Sequence, residues 1–206
     1  FFFLVFPLLL VIFIISLTSL LNEAYIGSTV VVPAQGGQLV EGIVGSPRFL
    51  NPVYADANDV DRDIIQLVLS GLYTYSPTGE LIPDLAAEAP QVTEGGKVIT
   101  VSLKENAQWH DGTPFTAGDV VFTITTIQDA SYKSPIRANW IGVQVEKVSD
   151  YKVRFHLLDP YAPFFERLTL KIMPAHIWRE INAEAFALSP VNLQAIGTGP
   201  YQISNI

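Results

Sequence analysis

The chain has 206 residues, 12 Lys+Arg against 20 Asp+Glu for a net charge of −8, and no Cys. An acidic chain without a Lys/Arg cluster is excluded as a nucleic-acid binder, because that affinity comes from phosphate contacts. The missing Cys excludes disulfides, thiolate catalysis, cysteine zinc sites and lipid attachment to a cysteine.

Phe1 to Leu21 carries no charge and is interrupted only by Pro7, Ser16, Thr18 and Ser19. About 20 apolar residues span a bilayer core, whereas a secretory signal has an apolar centre of only about 7–15. Asn22-Glu23-Ala24-Tyr25 is a poor cleavage site. Residues 1–21 therefore read as a retained transmembrane anchor, with a cleaved signal and a buried core helix as the alternatives. No Lys or Arg precedes Arg48, so flanking charge gives no orientation. Residues 22–38, with GSTVVVPAQGG, read as a linker. Phe1 is not Met, and Tyr201 to Ile206 reads as a strand just opening, so the sequence reads as a fragment.

Residues 39–206 form the folded part. Leu39 to Val44 reads as a strand, broken by Gly45-Ser46-Pro47-Arg48. Asn58 or Asp59 caps a helix with Val60, Ile64, Leu67 and Val68 on one face and Gly71 as its stop. Leu72 to Tyr75 is a strand turned by Ser76-Pro77-Thr78-Gly79. Glu94 to Lys97 turns a hairpin in which Ile99, Val101 and Leu103 share a face. Thr116 to Asp119 has capping-box spacing and predicts a helix through Ile127, against the strand preference of its β-branched residues. Ile141 to Val148 and Tyr151 to Leu158 form a hairpin in which Val153, Phe155 and Leu157 oppose Lys152, Arg154 and His156. Pro160 to Leu168 and Pro174 to Ile181 read as helices. Gly197-Thr198-Gly199-Pro200 is a tight loop. Strands and helices mix without βαβ alternation, which gives α+β order locally within an α/β fold.

Catalytic patterns are absent from the sequence: no HExxH, GxSxG, GxGxxG or phosphate-cradling GxxxxGK[ST]. His110-Asp111 has acid/base composition but reads as part of a structural turn with Trp109 buried. His156 and His176 read as a solvated strand residue and a helix-start residue. Asp59, Asp61 and Asp63 read as charges complementing a helix dipole.

Several ordered blocks resemble the family 5 extracellular solute-binding proteins, the oligopeptide-, dipeptide- and nickel-binding receptors of ABC importers. The central block is Trp109-His110-Asp111-Gly112-Thr113-Pro114-Phe115-Thr116-Ala117-Gly118-Asp119-Val120-Val121-Phe122. Before it stand Gly45-Ser46-Pro47-Arg48-Phe49-Leu50-Asn51-Pro52, Gly71-Leu72-Tyr73 and Gly79 to Ala86. After it stand Ile172-Met173-Pro174-Ala175-His176-Ile177 and Gly197-Thr198-Gly199-Pro200-Tyr201.

The resemblance implies a periplasmic-binding-protein-like fold of two lobes closing on a ligand. This chain would hold part of lobe one and an extra subdomain over about residues 51–195. It implies a non-enzymatic, extracytoplasmic component of an ABC importer, without cofactor or metal, whose partners are a peptide or other small solute, the permease subunits and the membrane. A membrane-anchored hydrolase of peptides or cell envelope and a non-transport sensor are the alternatives. The ligand residues it implies are Ser46, Arg48 and Phe49 in a loop offering backbone groups, although Pro47 has no N–H to give. Trp140 joins them as an aromatic wall of the cleft, with plain core packing as its alternative.

Overall fold

A computed structural model describes residues 13–23 and 40–205 of the chain. It divides into two units, Phe1–Gly42 and Ile43–Ile206. In the first, residues 13–23 form helix α1, exposed on every side. The Thr18 hydroxyl donates to the Ile15 carbonyl at 2.9 Å, so its polarity is satisfied within the helix. Among the described residues no helix is long and apolar enough to cross a membrane. Residues 1–12 of the expected anchor and 24–38 of the expected linker lie outside the described residues.

The strand expected at Leu39 to Val44 does not form over residues 40–44. Val44 is fully exposed, and among the described residues no strand pairs with this segment. β-branched side chains alone do not hold a strand whose backbone groups lack a partner.

In the second unit, helix α2 (Asp59–Val68) starts where Asn58 accepts a hydrogen bond from the Val60 N–H. Its inward face differs from the expected one: Val60, Asp61, Ile65 and Val68 are buried, while Leu67 is 48% exposed. The helix is rotated so that the Asp61 carboxylate faces inward. Gly71 is not its stop. The helix ends at Leu69, whose N–H still reaches the Ile65 carbonyl at 2.9 Å. Gly71 instead bridges to Lys171, and a Cβ there would lie 2.7 Å from the Thr169 carbonyl oxygen.

Strands β1 (Tyr73–Tyr75) and β2 (Leu81–Pro83) pair antiparallel. The main sheet holds β3 (Gln91–Thr93), β4 (Val98–Ser102), β5 (Gln144–Ser149) and β6 (Lys152–His156) in the order β3-β4-β6-β5, all antiparallel. Its register places Ile99 opposite Phe155 and Val101 opposite Val153, and all four are buried. Helix α3 (Ala117–Gln128) packs on the β5–β6 side of the sheet with Val120, Ile124 and Ile127 buried. The capping box decides helix over strand: Thr116 and Asp119 bond each other's backbone reciprocally. Asp119 also accepts the Ala175 N–H at 2.9 Å, which ties the chain at residue 175 to the start of α3.

Helices α4 (Phe164–Arg167), α5 (Ala175–Trp178) and α6 (Ala183–Phe186) are single turns. The first two are shorter than the expected spans Pro160 to Leu168 and Pro174 to Ile181. After α4 the chain runs extended beside residues 70–73, with Tyr73 donating to the Leu168 carbonyl at 3.1 Å and Ile172 to the Ser70 carbonyl at 3.0 Å.

Residues 201–205 form no strand. The loop before them is set by close approach. A Cβ on Gly197 would fall 1.7 Å from the Val68 carbonyl oxygen, and one on Gly199 would fall 2.6 Å from that of Leu67. The Gly199 N–H donates to Val68 at 2.8 Å and the Tyr201 N–H to Leu67 at 3.2 Å. These carbonyls end α2 and lack helical partners, so the loop satisfies them.

Gly197→Ala is expected to destabilise the protein by about 3 kcal/mol or more, the upper end for an overpacked site. Gly42→Ala, where nothing lies within 4 Å of the added Cβ, is the control and should stay within about 0.5 kcal/mol. Urea unfolding of both variants checks this.

Candidate functional site

The loop expected to face a ligand is held from beneath by Asp61. Its carboxylate is fully buried and accepts the Arg48 N–H at 2.7 Å and the Phe49 N–H at 3.0 Å. The Asn58 side-chain amide donates to the Ser46 carbonyl at 3.3 Å. At Gly45 the backbone turns with φ +129, and a Cβ would meet the Val60 side chain at 2.9 Å. A three-point anchor of this kind preorganises a loop, because the ordering entropy is spent on folding and not on binding.

These bonds correct one expectation. The backbone amides of Arg48 and Phe49 are consumed by Asp61, and Pro47 has none, so those three residues have no backbone N–H left for a ligand. Side chains remain: Ser46 and Arg48 are exposed and Phe49 is half-buried. The Arg48 guanidinium lies 5.5 Å from the Phe49 ring centroid, within cation–π range.

Phe49 begins a chain of aromatic contacts. Its ring lies 5.1 Å from Tyr54, Tyr54 lies 5.9 Å from Phe186, and Phe186 meets Tyr132 at 5.0 Å and Trp178 at 4.4 Å. The Tyr54 hydroxyl donates to the Tyr132 carbonyl at 2.7 Å. Burial, with Tyr132 beside it, pushes the Tyr54 phenol above its ordinary pKa, so it stays protonated as that donor.

Trp140 does not join this group. It is 2% exposed, packs edge-on to Phe164 at 6.1 Å, and its carbonyl accepts the Gln128 side chain at 2.7 Å. It lines a separate small cleft to which no residue of the 46–49 loop contributes.

Each histidine has a structural partner. His110 clamps the glycine loop: its Nδ1 accepts the Gly197 N–H at 3.1 Å and its Nε2 meets the Gly199 carbonyl at 2.8 Å. Both bonds together require the neutral tautomer with the proton on Nε2. His156 lies 3.3 Å from Glu146 on the outer sheet face, where Arg154 also pairs with that carboxylate at 2.9 Å. His176 Nε2 lies 2.8 Å from Asp111 Oδ2, so the partner of Asp111 is remote in sequence and is not its neighbour His110. Trp109 packs edge-on to His176 at 6.2 Å and Phe115 at 5.9 Å, with its indole N–H buried and unpartnered. Among the described residues no three His, Asp or Glu converge to hold a metal.

The roles of Asp61 and the His110 clamp do not emerge from sequence reasoning. Asp61 has a signal: it stands at i, with Ile65 at i+4 and Val68 at i+7, on the stripe that faces inward. A carboxylate on that stripe has to be met by donors from elsewhere in the chain.

The family profile described as bacterial extracellular solute-binding proteins, family 5 Middle, matches residues 80–206. Protein XP55 of Streptomyces lividans is 34% identical over 167 residues, covering 81% of this chain and 29% of that protein. The structure of the oligopeptide-binding protein AppA from Bacillus subtilis in complex with a nonapeptide superposes with a TM-score of 0.77 at 29% identity, covering 85% of this chain and 35% of that one. NikZ from Campylobacter jejuni in complex with Ni(L-His) superposes with a TM-score of 0.69 at 31% identity, covering 79% and 32%. The chain thus spans about a third of the length of these relatives.

Asp61→Ala is expected to destabilise the protein by about 2 kcal/mol or more, since two amides lose a charged acceptor. Asp63→Ala, on the exposed face of the same helix, should stay within about 0.5 kcal/mol by the same chemical denaturation. Asp111 gives a pH signature. Partial burial works to raise its pKa, but the Thr113 amide and His176 together hold it below the ordinary carboxylate value. The stability it adds is present above pH of about 4 and is lost as pH falls through the lowered folded value. Asp111→Asn should therefore flatten the acid limb of a stability–pH curve while leaving its neutral-to-basic shape unchanged.

Proposed function

We propose that this chain, which belongs to family 5 of the bacterial extracellular solute-binding proteins, is part of an extracytoplasmic receptor that delivers peptides to an ABC importer. The observation that carries this reading is the likeness to AppA in complex with a nonapeptide. The loop at Ser46–Phe49 supports it, being fixed from beneath by Asp61 and displaying Arg48 and Phe49 at its surface. In this reading Ser46, Arg48 and Phe49 meet the ligand through side chains, and the second lobe of the receptor supplies the facing wall of the cleft. Trp140 acts as the wall of its own small cleft.

In this reading the receptor stands outside the cell, tethered by the uncharged run Phe1–Leu21. It breaks no bond in its ligand. Capture and hand-over rest on closure of two lobes, a hinge motion that binding itself favours.

The test is a peptide-library thermal shift on the full-length protein, with recovery of intact ligand. Saturable stabilisation of about 2.7 kcal/mol is expected at a hundredfold excess over Kd, with the peptide recovered uncleaved. The same protein should sediment with membranes and be released once residues 1–21 are removed. Turnover of the peptide without saturable stabilisation would instead identify a hydrolase.

A further inference from the structure

A cleft of about 220 Å³ opens between α2, the 3-10 turn Arg137–Asn139, α4 and the extended segment that follows α4. Its apolar walls include Trp140, Ile65, Ile136 and Leu170. Its charged lining is Arg62, Arg167 and Lys171 against the single acid Glu166. Three cations to one anion is the reverse of the chain as a whole, which carries −8.

The three cations differ. Arg62 is exposed and paired with Asp59 at 2.7 Å. Arg167 donates to the Asn139 carbonyl and stacks on Tyr161 at 4.8 Å. Lys171 is only 8% exposed, and among the described side chains no carboxylate lies within 4 Å of its ammonium and no acceptor bonds it. Burial holds its pKa below the ordinary lysine value, with the more distant Asp84 acting in the opposite direction. Its stem is buried while its ammonium keeps access to solvent at the cleft, so an anion seated beside it gains a charge-assisted hydrogen bond. Glu166 is solvent-exposed, where its repulsion of such an anion is screened.

We propose that this cleft is a second binding site, distinct from the Ser46–Phe49 loop, which takes a small organic monocarboxylate with its carboxylate on Lys171 and its apolar body against the half-buried Ile136 and Leu170. The size follows from the volume: the cleft holds roughly seven waters, so the ligand has about seven to ten non-hydrogen atoms. Aromatic or branched acids suit it better than acetate, because the half-buried Ile136 and Leu170 reward an apolar body.

The experiment is calorimetric titration of the full-length protein at constant pH and ionic strength with benzoate, benzamide and acetate. Benzoate is expected to bind saturably, and benzamide and acetate at least tenfold more weakly. Lys171→Met, which retains the buried stem, should weaken benzoate about tenfold or more, the loss of one charge-assisted hydrogen bond. Arg62→Gln, at an exposed position, should weaken it less, by about threefold, and covers the case in which the Lys171 variant folds poorly. Peptide binding at the other site should persist in both variants, which separates this proposal from the peptide reading. Equal binding of benzoate and benzamide, no binding of benzoate, or benzoate affinity unchanged in both variants overturns it.

Discussion

The last turn of α2 meets the glycine loop Gly197–Gly199 at backbone-to-backbone distance, and much of the second unit is arranged around that contact. The Val68 and Leu67 carbonyls end the helix with no partner of their own, and the loop supplies amides at 2.8 Å and 3.2 Å. His110 closes the opposite side, with one ring nitrogen as acceptor and the other as donor. Its own N–H reaches the Gly197 carbonyl at 2.8 Å, and the Thr198 hydroxyl accepts from Ser70 at 3.3 Å. Two glycines and one histidine, almost 90 residues apart in sequence, thereby fasten the chain's return to the helix that supports the candidate ligand loop. Glycine is required here for space; neither Gly197 nor Gly199 adopts a positive φ.

Buried carboxylates perform the same task at two other junctions. Asp61 gathers the amides of Arg48 and Phe49, and Asp119 gathers those of Thr116 and Ala175. Each acid reaches backbone donors outside its own helix, Arg48 and Phe49 for Asp61 and Ala175 for Asp119, while Asp119 also closes its own capping box on Thr116. A charged acceptor bonded by two or three amides is stronger than a neutral one and fixes direction as well as distance. The charges therefore act within the scaffold, and the exposed surface left for a ligand at the loop is Ser46 and Arg48 with part of Phe49.

What was legible in the sequence was local. The Thr116–Asp119 capping box, the hairpin about Ser149-Asp150 and the alternation of Val153 and Phe155 all depend on neighbours within a few residues, and the fold realises each. What was illegible depended on partners far along the chain. Gly71 looked like a helix stop because the approach of Thr169 to it cannot be read from composition. The inward turn of Asp61 was obscured by two acidic neighbours, Asp59 and Asp63, that do face solvent. Leu39 to Val44 and Tyr201 to Ile206 had strand composition, but strand formation needs a paired ladder, which no propensity supplies. The same limit applied to the candidate site. The resemblance implies Ser46–Phe49 as a ligand loop, while the capture of its amides by Asp61 depends on a contact 12–13 residues away in sequence.

The aromatic chain from Phe49 through Tyr54 to Phe186 completes the support of the loop. Asp61 holds its backbone, but a backbone anchor alone leaves the Phe49 ring free to rotate. Tyr54 restricts that ring at 5.1 Å, and Tyr54 is itself fixed by its hydroxyl on Tyr132 and by the Phe186 edge. Phe186 is fully buried, so the chain of contacts ends in the core. Arg48, lying over Phe49, is the cation of the group, and its guanidinium has no carboxylate partner among the described residues. In the proposed receptor reading, this aromatic floor with one unpaired cation is the part of the loop that would meet a ligand's acceptor and apolar surface.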